Sequence, residues 1–239
     1  MQEIFDSHAH YNDERFAEDR ETLLPQIYCN GVSHILNAGC DIPSSIEGIR
    51  LAEQFSYVYA SVGIHPEETD HVPENYLETL AQLAKHPKVV AIGEIGLDYH
   101  YENANAAKQQ EIFRQQLDLA DQLDLPVIIH SRDATQDTIN MLSSRQKHRG
   151  VLHCFSGSAD TAQIYLKMGY HIGFTGVVTF SNAKKAIEAA KIIPVERILL
   201  ETDCPYMAPV PFRGKRCTSD MIAYTAAKIA EIKGIPPQQ

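Results

Sequence analysis

Short apolar runs rich in β-branched residues recur along the chain, and each is followed by a longer stretch whose apolar residues return at helical spacing. The runs predict strands over 4–6, 34–38, 57–64, 89–95, 127–130, 151–155, 171–175 and 198–202. Several are apolar throughout, the pattern of parallel strands covered on both faces. Between them the spacing predicts helices over 19–30, 44–54, 74–86, 106–124, 134–148, 159–168, 183–192 and 219–233. In the longest, Ile112, Phe113, Leu117, Leu119, Ala120 and Leu123 share one broad face, with Gln and Asp elsewhere. Pro126 then stops continuation before the next strand. Gly31 and Gly169 stand where C′ glycines end helices.

Eight strand–helix alternations with no low-complexity linker, short repeat or charge block predict one α/β domain over 1–239, a (β/α)8 TIM barrel. An open doubly wound sheet shares the alternation, because periodicity does not report closure. The tail Gly234-Ile235-Pro236-Pro237-Gln238-Gln239 reads as the lead into another element, so a C-terminal helix is expected to be missing.

Composition narrows the class. The 239 residues are 44% hydrophobic and 22% charged, which excludes disorder, collagen-like sequence and a small disulfide scaffold. Lys plus Arg is 21 against 31 Asp plus Glu, a net charge of −10, so bulk charge does not hold this chain on nucleic acid. A small basic groove remains compatible with that total. No run approaches the roughly 18 apolar residues of a membrane span. Met1-Gln2-Glu3-Ile4-Phe5-Asp6 lacks a basic leader, so no signal peptide is expected. Five cysteines without a C-x-x-C pair argue for a reducing compartment, with the cytoplasm as default. A monomer is the default state.

In a barrel, chemistry gathers at the C-terminal ends of the strands. Those ends carry Asp6-Ser7-His8-Ala9-His10, Gly63-Ile64-His65-Pro66, Gly93-Glu94-Ile95-Gly96-Leu97-Asp98-Tyr99, His130-Ser131-Arg132, His153-Cys154-Phe155 and Glu201-Thr202-Asp203. The i, i+2 spacing of His8 and His10 points both imidazoles to one side of an extended chain. Neutral imidazoles with carboxylates suit Zn²⁺, Mn²⁺ or Fe²⁺ better than Ca²⁺. His8, His10, Glu94, His130, His153 and Asp203 could together hold two such ions. A lone strand-end histidine is ordinarily a hydrogen-bonded core residue. A set this large would be a costly coincidence, since buried unpaired polar groups cost several kcal/mol.

The other chemistry-bearing residues take plainer readings. His34, His71, His86, His100, His148 and His171 lie in loops, at helix ends or at strand starts, where capping or solvent suffices. Glu201 is equally well a support for a ligand or a carboxylate of a barrel layer. Cys154 and Cys204 flank the candidate ligands and read as buried small hydrophobes.

Together, Asp6-x-His8-x-His10, Val62–Pro66, Gly93–Tyr99, Pro126–Arg132, His153–Gly157 and Leu200-Glu201-Thr202-Asp203-x-Pro205 resemble the TatD-type deoxyribonucleases, metal-dependent hydrolases related to the amidohydrolases. The matches run in order from residue 6 to about 216. The resemblance implies two divalent cations (Zn²⁺, Mn²⁺, Mg²⁺, Fe²⁺ or Ni²⁺) on His8, His10, Glu94, His130, His153 and Asp203, with Glu94 bridging and Asp203 also acting as base. It implies phosphate contacts from His65 and Arg132, and a basic loop at Arg213-Gly214-Lys215-Arg216. Family members continue that loop with Asn-Glu-Pro, whereas this chain has Cys217-Thr218-Ser219.

The expected activity is hydrolysis of phosphodiesters in single-stranded or frayed DNA, with a cationic rim at Arg213, Lys215 and Arg216 and Tyr99, Phe155 or Tyr206 available for stacking. The nearest alternative is an amidohydrolase acting on a small cyclic amide, lactone or phosphoester. Many such relatives place a carboxylated Lys after strand four, where this chain has Glu94. A non-enzymatic metal- or protein-binding module is the more distant alternative.

Overall fold

The computed structural model describes residues 4–145, 147 and 149–236. The expectations for His148, for 1–3 and for 237–239 lie outside them. The strands follow one another in the sheet in the order β1 to β8, each succeeded by a helix, which is the (β/α)8 fold. Two compact units make up the chain, one of 1–37, 154–167 and 171–239, the other of 38–153 and 168–170.

The first unit holds β1 (Ile4–Ala9), α1 (Arg20–Cys29), β2 (Val32–Asn37), α6 (Ala159–Met168, up to Lys167), β7 (His171–Phe174), α7 (Lys184–Ile192), β8 (Ile198–Leu200) and α8 (Ile222–Lys233). β1 pairs in parallel with β2, and β7 with β8. An isolated parallel bridge between Ala9 and Cys204 sets the residues after β8 beside the end of β1. Phe16, Leu24, Ile27, Ile35 and Phe174 are buried in this unit. Removing side chains of this size from water contributes about 1.5–3 kcal/mol each. Gly31 has φ 103° and Gly169, next to α6, has φ 104°, the left-handed geometry expected of helix-ending glycines.

The second unit holds α2 (Ile42–Gln54), β3 (Val58–Val62), α3 (Tyr76–Leu83), β4 (Val89–Asp98), α4 (Ala106–Leu123), β5 (Val127–Arg132), α5 (Thr135–Ser143) and β6 (Gly150–Leu152). Its strands pair in parallel in that order, with Val62 opposite Ile92, Gly96 opposite His130 and Ile129 opposite Leu152. α2 begins earlier than its apolar spacing indicates, because Asp41 caps it by accepting the Ser44 N–H at 2.7 Å and the Ser44 hydroxyl returns to the Asp41 N–H. α5 ends at Ser143, short of 148. There the Ser143 hydroxyl donates to the Ile139 carbonyl, competing with the helix's own bonds.

α4 corrects the expectation that its glutamines face away from the core. Gln109 and Gln116 lie on the buried face with Ile112, Phe113 and Leu117, whereas Leu123 is half-buried. Each glutamine clamps a strand end. Gln116 Oε1 accepts the Ile64 N–H at 2.7 Å while its Nε2 donates to the Ile64 carbonyl at 3.0 Å. Gln109 does the same for Asp98, at 2.9 Å in both directions. These side chains supply the bonds that the backbone at the two strand ends needs inside the protein.

Candidate metal and catalytic centre

In the first unit, His8 and His10 stand at the end of β1 with their Nε2 atoms 3.0 Å apart. Asp203 joins them, its Oδ1 3.3 Å from His10 Nε2 and 3.7 Å from His8 Nε2. The backbone makes this possible. The Asp203 N–H donates to the His8 carbonyl at 2.9 Å, and the His10 N–H donates to the Cys204 carbonyl at 2.7 Å. Asp203 itself has φ 57°, a left-handed conformation that a short polar side chain tolerates and a β-branched one would not.

Behind these donors lies Asp6, fully buried, which accepts the Thr202 N–H at 3.0 Å and the Thr202 hydroxyl at 2.6 Å. Burial pushes its carboxyl up to about 7, against hydrogen bonds from Ser219 and Thr202. This capture of Thr202 explains why β8 stops at Leu200 and not at 202. β6 likewise stops at Leu152, because Cys154 turns to φ 45° and gives its N–H to the Glu201 carboxylate. Glu201 is buried over Gly173, where an added Cβ would lie 2.5 Å from Oε2. It therefore holds the backbone next to His153. Cys204 is buried, and burial with the nearby Asp6 pushes its thiol up to about 12; Cys154 is half-buried, not buried as expected.

In the second unit, three imidazoles meet one oxygen. Glu94 Oε1 lies 2.9 Å from His130 Nδ1, 3.0 Å from His153 Nε2 and 3.4 Å from His65 Nε2. Donor atoms of His65, Glu94 and His130 all fall within 4.8 Å of one another. The Glu67 N–H donates to His65 Nδ1 at 3.2 Å, which leaves Nε2 as the protonated nitrogen. His65 is thus a hydrogen-bond donor to an anionic oxygen and not a metal ligand in this tautomer. His130 Nε2 lies 3.0 Å from Asp98 Oδ2. Burial lowers the His130 pKa, but the bonds to Asp98 and Glu94 outweigh it and the net shift is upward. Gly96 lets β4 approach β5 here, since a Cβ on it would sit 1.9 Å from the His130 carbonyl oxygen.

Within each unit the donors are those a divalent cation takes, paired imidazole nitrogens with a carboxylate oxygen at the same point. The residues therefore fit a metal. Asp98 holds His130 from behind and Cys40 stands beside Glu94, and neither is among the expected ligands. Cys40 Sγ lies 3.9 Å from Glu94 Oε2.

The expected substrate residues divide. Arg132 is 44% exposed, with Nη1 4.0 Å from Asp98, so its guanidinium remains able to take a second anion. Arg213 lies over the Phe180 ring at 4.5 Å and Lys215 over Phe212 at 5.8 Å. Arg216 departs from the expected rim, because it is paired with Asp19 at 2.5 Å and donates to the Arg15 carbonyl. Cys217 and Ser219 are buried, with the Ser219 N–H donating to the Tyr11 hydroxyl, so this segment serves the interior. Tyr206 is half-exposed and carries Arg15 over its ring at 4.0 Å; Tyr99 donates to Asp137 and Phe155 is buried. His86 with Glu53, His100 with Asp133 and His34 with Ser33 have local partners and no place among the donors.

A family profile described as "TatD related DNase" matches residues 5–239. An uncharacterized metal-dependent hydrolase, YabD of Bacillus subtilis, is 42% identical over 232 residues, covering 96% of this chain and 91% of its own length. The crystal structure of YjjV, a TatD homolog from Escherichia coli, superposes with a TM-score of 0.93 at 32% identity, covering 98% of this chain and 92% of that one. A TatD-family hydrolase from Entamoeba histolytica follows at 0.87 and 27% identity, covering 99% of this chain and 93% of that one. No helix among the described residues is long and apolar enough to cross a membrane.

Proposed function

The chain belongs to the TatD family of metal-dependent hydrolases, and on that premise we propose that it is a deoxyribonuclease cleaving phosphodiester bonds in single-stranded or frayed DNA. The observation that carries the reading is the surroundings of Glu94, where three imidazoles meet one carboxylate oxygen, together with the half-exposed cation Arg132 beside the Asp98 that holds one of them. We assign His8, His10, Glu94, His130, His153 and Asp203 as the residues that would hold two divalent cations. The assignment is supported by the donor chemistry within each unit and by the resemblance of the motifs.

Such cations, when bound, lower the pKa of water and offset charge that builds on phosphoryl oxygens. Asp203 accepts the proton of the attacking water. The His65 Nε2–H and the Arg132 guanidinium donate to non-bridging phosphate oxygens, with Arg213 as a further cation. Glu201 supports the backbone next to His153 through Cys154. We place the enzyme in the cytoplasm as a monomer, which suits five cysteines that all stand as thiols.

The test is an assay of end-labelled single-stranded DNA against a series of divalent metals, run beside a panel of small cyclic amides, lactones and phosphoesters. DNA cleavage that stops on chelation while the circular dichroism holds is the expected result. Turnover of a cyclic amide with no cut in any oligonucleotide overturns the reading in favour of the amidohydrolase alternative.

A further inference from the structure

Next to the Glu94 set, within the second unit, lies a cavity of about 240 Å³ that none of the roles above uses. Its wall includes Asp98, Tyr101, Asn103, Glu67 and Asp70. The volume is just below the roughly 300 Å³ at which small-ligand clefts begin, a size for one base and not for a length of strand. Asp98 ties this cavity to the donors, because the same carboxylate holds His130. Arg132 stands at its edge, with its guanidinium 5.6 Å from the Tyr101 ring centroid and 4.0 Å from Asp98.

The wall chemistry selects the ligand. Three carboxylates exclude a phosphate from the cavity itself. Two are already balanced, Asp98 by His130 and Arg132, and Asp70 by Lys108 at 3.7 Å. Glu67 is exposed and has no ion pair among the described residues, so it is the acceptor on offer. Tyr101 is 48% exposed and supplies an aromatic face. Base–aromatic stacking is tolerant of sequence, whereas a carboxylate accepts only from base-edge N–H groups, of which guanine alone offers two side by side, N1–H and N2–H.

We propose that this cavity receives the nucleoside attached to the phosphate held by Arg132, with the base stacked on Tyr101, and that Glu67 favours guanine over thymine. The proposal rests on the nuclease reading, and it names the specificity of that site. Asn103 is a further polar residue of the same wall.

The experiment is a calorimetric titration of the protein, metals in place, with deoxyguanosine 5′-monophosphate and with thymidine 5′-monophosphate. Deoxyguanosine monophosphate binds the wild type more tightly. Tyr101→Ala weakens both nucleotides about tenfold, the low end of what one stacked base contributes. Glu67→Ala removes the preference, weakening deoxyguanosine monophosphate more than thymidine monophosphate. Both side chains are exposed and neither holds metal, so metal content and thermal midpoint stay at wild-type values and report that the variants are folded. Equal affinity for the two nucleotides, or Tyr101→Ala within twofold of wild type, overturns the proposal even where DNA is cut. If the labelled DNA assay fails while Tyr101-dependent binding persists, the nuclease reading falls and the cavity stands.

Discussion

Asp98 Oδ2 lies 3.0 Å from His130 Nε2, and His130 Nδ1 faces Glu94 Oε1 at 2.9 Å. One carboxylate therefore fixes which imidazole nitrogen is left to ligate. Partners of this kind set the tautomer and basicity of a metal-bound histidine, and losing one typically costs 10–100-fold in metal affinity. Asp98→Asn keeps the shape but removes the charge, so metal affinity should fall by about tenfold or more. A metal titration with a competing chelator checks it, with the thermal midpoint as control.

Asp203→Asn separates proton transfer from ligation. The amide keeps one oxygen for a cation but does not act as a base at neutral pH. Turnover should fall by about 10²–10⁴-fold, the usual worth of a positioned general base, while at least one metal equivalent is retained. DNA affinity should hold or rise slightly, since a negative charge near the phosphate is gone. Turnover, metal content and affinity measured on the same preparation decide whether Asp203 belongs in the mechanism.

Arg132→Ala should lower kcat/KM for oligonucleotides and leave metal content unchanged. The wild-type enzyme should lose DNA affinity steeply as salt rises, and the variant less steeply, because one phosphate contact has been removed. Binding isotherms at three salt concentrations give the two slopes.

Gln116→Leu tests the clamp on β3. The apolar residue fits a buried helix face but leaves the Ile64 N–H and carbonyl without partners. An unsatisfied buried group costs about 1–3 kcal/mol. Urea unfolding should show a loss of about 2 kcal/mol or more, with a larger KM where His65, the next residue, contacts phosphate.

Acid should weaken one surface pairing in a readable way. Hydrogen bonds from Arg15, its guanidinium 2.9 Å away, hold the Asp13 carboxyl down to about 2 from 3.8. A folded-state value below the unfolded one contributes stability above the unfolded value, lost as pH falls through the folded one. Arg15 is 47% exposed, so solvent screening limits the contribution to about 1 kcal/mol. Asp13→Asn should therefore be less stable than wild type at pH 7, with the gap closing between about pH 4 and pH 2, as chemical denaturation across that range will read.

The eight strands and eight helices are legible in the sequence because alternating apolar periodicity is a local property. Strand-end donors are legible for a related reason: His8, His10, Glu94 and Asp203 break apolar runs where polar side chains have no other use. What escaped was set by distant partners. β8 looks longer in the sequence because Asp6, which takes the Thr202 N–H, is 196 residues away. Asp98 sits in a conspicuous motif, but its work depends on His130, 32 residues on. Gln109 and Gln116 read as solvent-facing because a polar residue on a buried helix face has the same spacing as one that belongs there by accident of register. Arg216 looked like a phosphate ligand until Asp19, from the other end of the chain, supplied its counter-charge.

The paired glutamines of α4 have a consequence for how such a protein changes. They are seven residues apart on one helix, about 10 Å along its axis, so a single stiff rod fastens the ends of β3 and β4. The chain leaving Asp98 returns at Gln109 to the point where it left, making 99–108 a hoop closed at its base. Substitutions or insertions at 101–105 reshape the wall that carries Tyr101 and Asn103, while the His100 N–H, bonded to Asp98 at 2.9 Å, keeps that carboxylate and the imidazole it steadies in place. Substrate preference can drift there while the hydrolytic machinery stays in tune.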